Sequence, residues 1–172
     1  MRWTVAKNKA TNRHFVNVVK AIKWWRLEQL PTLKYPKGFT LERMIGDCCP
    51  DGITSVAEGV VTTLETMVDR YRNGKPVLPD YGVSTQDVLA RISAADFSTF
   101  YDGAKAAATV ARRAVDAVTR TDACKAWREM FGEKFPKYED KGGGGGTNGG
   151  GTNGDGFKTP SEPAVPGSGR FA

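Results

Sequence analysis

The side chains best placed to do chemistry in this sequence are cations on one helical stretch. In residues 11–29, Arg13, Lys20 and Lys23 share one arc of a ~100°-per-residue wheel. Phe15, Val18, Val19, Ile22 and Trp25 share another. Such a helix offers a greasy side to a core and a cationic side to something anionic. Ammonium groups act there as point charges. A solvated helix face is the other reading of the same charges. Other chemistries have little support. His14 stands alone, without a placed carboxylate to make it a general base. Cys48, Cys49 and Cys124 lack the spacing of a four-ligand zinc site and are expected as small buried hydrophobes. Asp47 and Asp51 flank a turn and are expected to cap or end helices. No H-E-x-x-H, G-x-S-x-G, P-loop or C-x-x-C occurs.

The charge is localised. The net charge is +6 over 172 residues, yet residues 1–37 carry nine Lys/Arg against a single acid, Glu28. Residues 38–136 carry 12 against 14, and residues 137–172 carry 4 against 4. A basic first quarter on a near-neutral body suggests a local anion site rather than a general polycation. No apolar run approaches the ~18 residues of a membrane span. An odd cysteine count without a signal peptide points to a reducing, cytoplasmic setting.

The elements that must carry these residues are helical. Thr11 or Asn12 is expected to cap the basic helix, and Pro31 to end it near Leu30. Residues 1–8 are undetermined, a lead-in that packs Trp3. Residues 40–49 form a second helix, capped by Thr40, with Leu41, Met44 and Ile45 inward. Residues 55–73 form a third, ended by Asn73-Gly74. Residues 75–83 are an extended connection. Ser84 and Asp87 read as a capping box for a short helix to Ile92, and Ser93 with Asp96 as another. The second box opens the longest helix, 94–120, whose inner stripe includes Phe97, Phe100, Ala104, Ala108, Ala111, Val115 and Val118. Thr121-Asp122 caps a last helix, 123–131, with Trp127 and Phe131 inward and Gly132 as its stop. Without sustained period-2 alternation, the expected class is all-α, a bundle of five to six helices over residues 1–136. Residues 137–172 are expected as a disordered Gly/Pro-rich tail. Ten of residues 142–156 are glycine, a linker reaching roughly 20–25 Å.

Several motifs go further than composition. Trp3-Thr4, Lys7-Asn8, Asn12-Arg13 and Val19-Lys20-Ala21-Ile22-Lys23-Trp24-Trp25-Arg26 together resemble the entry to the helical half of bacterial cGAS/DncV-like nucleotidyltransferases, the CD-NTases, relatives of oligoadenylate synthase. Pro36-Lys37-Gly38-Phe39-Thr40-Leu41-Glu42 is similar to that family's K-[S/G]-[F/Y]-x-L-E element. Lys75-Pro76-Val77, Asp80, Asp87-Val88-Leu89, Asp96-Phe97 and Phe100 resemble its KPVL-D-G, DVL and DF..F stretch. Trp127-Arg128, Phe131-Gly132 and Phe135-Pro136 resemble its closing W..lFG..FP. The resemblance covers residues 3–136.

The resemblance implies an oligoadenylate-synthase-like helical domain that grips the triphosphate of an NTP, ATP or GTP, while a polymerase-β-like catalytic domain holds Mg²⁺ and does the chemistry. The products implied are cyclic oligonucleotide signals of CBASS-type antiphage defence. The G-S motif and metal-binding carboxylates belong to the catalytic half, upstream or in trans, so this chain alone is expected to bind no Mg²⁺ and synthesise nothing. The phosphate-binding residues implied are Lys23, at the K-x-W position, with Lys20 one turn earlier. Where many relatives have a phosphate-contacting serine this sequence has Gly38, so contact would fall to backbone N–H or to Lys37. Ala172 would be presented to a ubiquitin-transfer-like conjugating enzyme. Two readings compete: a stand-alone basic helical module for nucleic acid, and an interaction scaffold conjugated through its C-terminus.

Overall fold

Apolar side chains recurring every three or four residues wind most of the described chain into helices. The structure, a computed structural model, describes residues 2–138; the expectations for the tail and for Ala172 lie outside the described residues. Six helices follow in order: α1 (Arg2–Ala10), α2 (Phe15–Gln29), α3 (Gly38–Cys48), α4 (Val56–Arg70), α5 (Ala94–Val115) and α6 (Arg120–Phe131). No strand is present among the described residues, where a single isolated bridge joins Pro79 and Asp87. The all-α bundle is borne out.

α2 runs through the middle of this arrangement, packing on α1, α3, α4 and α6, while α5 lies between α4 and α6. Phe15, Val18, Ile22 and Trp25 are at most 1% exposed. Trp25 meets Phe100 of α5 edge-on at 6.0 Å. Leu41, Met44 and Ile45 of α3 and Val60, Val61, Leu64 and Met67 of α4 complete the core around it. α4 approaches α2 closely because Gly59 lacks a side chain: a Cβ there would stand 2.5 Å from Val18 and 2.6 Å from Ile53. Trp3 packs on Phe15, 5.9 Å away, as the lead-in reading required.

Several boundaries differ from the sequence expectation. α2 begins at Phe15, not at Thr11. Asn12 and Arg13 take positive φ, 52° and 67°, and turn the chain between α1 and α2. Thr11 still serves the start, since its buried hydroxyl accepts from Phe15 N at 3.2 Å. α3 starts at Gly38 with Lys37 at its cap position, so Thr40 is not the cap. No helix follows Ser84. Asp87 is spent on the connection instead: its Oδ1 accepts from Leu78 N and Leu89 N, both at 2.9 Å. α5 stops at Val115 because Thr119 caps α6, accepting from Asp122 N at 3.0 Å. Val115 and Val118 therefore leave the inner stripe, and Val118 is fully exposed. Cys48 and Cys49 are buried, whereas Cys124 is only partly covered.

Candidate phosphate-binding face

The cations of the first quarter have divided fates. Arg26 is 5% exposed and donates to the Leu33 carbonyl, so it braces the α2–α3 connection rather than facing a ligand. Lys7 pairs with Asp51 at 2.8 Å. Lys9, Arg13, Lys20, Lys34 and Lys37 are exposed.

Lys20 and Lys23 sit on α2 away from the arc anchored by Phe15, Ile22 and Trp25. Lys20 makes no ion pair among the described residues. Lys23 does: its Nζ pairs with Glu42 of α3, each side chain about one-third exposed. Lys37 lies at the start of the same helix, five residues and roughly 7 Å along the axis from Glu42. Its Nζ hangs 5.6 Å from the centre of the Tyr35 ring. The structure thus brings Lys23 onto α3, with Lys37 at that helix's beginning and Lys20 one turn back on α2.

The start of α3 has a feature relevant to anions. Its cap residue, Lys37, makes no side-chain capping bond, and no acid lies in the first turn. The first-turn N–H groups, with the positive end of the helix dipole, therefore have no side-chain acceptor. Gly38 takes φ 54°, the left-handed region that favours glycine. That backbone gives a physical reason for glycine at this position.

The remaining motifs prove structural. Lys75 Nζ donates to the carbonyls of Leu89 and Ile92, at 3.3 and 2.8 Å. With Asp87 it staples residues 75–92 into a folded connection. Arg43, 6% exposed, holds that connection to α3: its Nε donates to Pro79 O at 3.0 Å, and its guanidinium covers the Tyr81 ring at 3.7 Å. Of the two tryptophans, Trp25 is core and Trp24 is 36% exposed. The Trp24 ring packs on Phe131 and Phe135 at 5.3 and 6.2 Å. With Trp127 these rings line an apolar pocket of about 230 Å³ between α2, α4 and α6. A wider groove of about 640 Å³ between α4 and α5 has its Arg112 and Arg72 already paired with Glu65 and Asp69.

Sequence reasoning missed Glu42. The signal was present, since Glu42 closes the Lys37–Glu42 motif, but nothing in a linear pattern says which lysine a glutamate will meet. Among the described residues, no cluster of three or more His, Cys, Asp or Glu side chains could hold a metal ion. These residues do not fit a Mg²⁺ site, and no chemical step through magnesium is derived from them. No described helix is long and apolar enough to cross a membrane.

Fold and site together define an all-helical module whose second helix carries Lys20 and Lys23 away from the core. The chain matches no family model. Its whole length aligns, at 43% identity over 179 positions, with the cyclic AMP-AMP-GMP synthase of Enterobacter hormaechei subsp. hoffmannii and covers 45% of that protein. The same figures hold for a probable cyclic AMP-AMP-GMP nucleotide synthase of Salmonella paratyphi B. A cyclic AMP-AMP-AMP synthase of an Acinetobacter species is 35% identical over 140 positions, 78% of this chain and 41% of the relative. The chain is thus a homologue of the bacterial cyclic oligonucleotide synthases, the CD-NTases, and spans less than half the length of these relatives. The family resemblance drawn from the motifs is borne out.

Proposed function

We propose that this chain is the nucleotide-gripping helical half of a CD-NTase, holding the triphosphate of an NTP such as ATP or GTP. Lys23 and Lys20 contact phosphate oxygens from α2, and Lys37 with the uncapped N–H groups of α3 contacts them from the side. The observation that carries this reading is the meeting of α2 and α3 at Lys23, which gathers cations and free helix-start donors on adjoining elements. Ammonium groups and N–H donors at one place suit a polyanion better than a neutral ligand.

In this reading catalysis and Mg²⁺ belong to a polymerase-β-like domain supplied with or beside this one. Residues 1–136 are the domain that folds against it, and residues 137–172 a tail. A cyclic oligonucleotide product, CBASS-type signalling in the cytoplasm and conjugation through Ala172 by a ubiquitin-transfer-like enzyme are parts of the same proposal. They rest on homology and on the motifs, not on contacts.

The test is calorimetric titration of ATP and GTP into the full chain and its Lys23→Ala variant. Loss of one charge-assisted contact is expected to weaken binding roughly tenfold. Unchanged affinity would remove Lys23 from the role. A steep salt dependence with duplex RNA and no response to mononucleotides would favour the nucleic-acid module instead.

A further inference from the structure

Residues 1–37 contain one acid, Glu28, and its carboxylate lies against Gly132 near the end of α6. The acid that the fold brings to Lys23 is Glu42, from the next helix. We propose that Glu42 is the resident counter-ion of Lys23, occupying the ammonium that a triphosphate must take, and that it thereby sets nucleotide affinity. This rests on the reading of Lys23 as a triphosphate ligand.

The character of the contact favours a placeholder over a brace. A brace would be buried or bidentate. The Arg112–Glu65 pair between α5 and α4 is of that forked kind, with Nε and an Nη each donating to a separate carboxylate oxygen at 2.9 and 2.8 Å. Lys23 reaches Glu42 through one N–H and one oxygen, and both side chains are about one-third open to solvent. An ammonium has three donors, so an incoming phosphate finds unused N–H groups beside the carboxylate. The carboxylate cannot remain close at no cost, because a triphosphate carries like charge and the two repel at contact distance. Binding therefore exchanges one anion for another on Lys23, and the affinity observed is the intrinsic one reduced by the strength of the Lys23–Glu42 pair. A partly exposed ion pair is weak, so the exchange stays feasible. Without nucleotide, the same pair keeps Lys23 on the side of α2 facing α3.

The experiment is a double-mutant cycle on the full chain, with ATP affinity measured by calorimetry for wild type, Glu42→Gln, Lys23→Ala and the double variant. Glu42→Gln keeps the shape and removes the charge. It is expected to bind ATP roughly two- to fivefold more tightly, the range set by losing one partly exposed ion pair. In the Lys23→Ala background the same change should matter less, because its partner is gone. Glu42→Asp, which keeps the charge, should stay near wild type. Weakened or unchanged binding by Glu42→Gln, with Lys23→Ala still weakened, overturns the counter-ion role and leaves the triphosphate reading standing. Wild-type affinity in Lys23→Ala, or no ATP binding by the wild type, overturns both. Thermal melting without nucleotide separates packing from exchange: a large fall in Tm for Glu42→Gln would make the residue a brace and sink the proposal.

Discussion

Gly59 shows how a single missing carbon sets the spacing of the elements that carry the basic face. α4 rests on α2 where a Cβ would overlap both Val18 and Ile53. Gly59→Ala is expected to destabilise the chain by about 1–3 kcal/mol, since a well-packed core has no slack for an added carbon. Urea unfolding followed by circular dichroism would measure it. Such residues were hard to read in advance, because a glycine inside a helical pattern gives no hint of its neighbour. Trp25 was legible from the wheel, and it is the largest fully buried side chain of α2. Arg26 was not. It follows a basic run and counts as surface charge by composition, yet it is buried under Leu33. Only the fold of the connection after α2 could reveal that.

At the scale of elements, the caps decide where helices start and stop. Thr119 ends any continuity between α5 and α6, since its hydroxyl receives Asp122 N and its backbone is extended. Thr119→Ala is expected to cost about 1 kcal/mol and to lower the thermal midpoint by a few degrees in a melting scan. The sequence expectation placed this start three residues late, at Ala123, and ran α5 on to Arg120. Alanine-rich helix propensity argued for continuation, and no local pattern outweighed it. Ser84 and Asp87 mark the opposite error. The spacing has the form of a cap, but Asp87 accepts two loop N–H groups and its backbone bridges Pro79. A carboxylate that satisfies a folded connection is unavailable to begin a helix. Ser93 is the cap its spacing predicts, its hydroxyl accepting from Asp96 N at 3.0 Å.

For the molecule as a whole, the buried end of α3 and the end of α4 set a limit at high pH. Burial pushes the Cys48 thiol up to about 11, against a hydrogen bond with Tyr71 that pulls the other way. Burial likewise raises the Tyr71 hydroxyl. Both groups ionise more readily in the unfolded chain. Stability is therefore undiminished below the ordinary thiol range and falls as pH rises through about 11. The urea midpoint is expected to hold from pH 7 to 8 and drop between pH 9 and 11. Cys48→Ala should blunt the drop. The class of fold and the family were legible because long periodic helices and ordered motifs extend over the body. The partnership of Lys23 with Glu42 was not, because it depends on how two helices cross. The tip between α5 and α6, where Val118 stands fully exposed, has a practical use. An added peptide tag or fluorophore there would meet no neighbouring packing, so the chain can be tethered or tracked from that tip without disturbing its core.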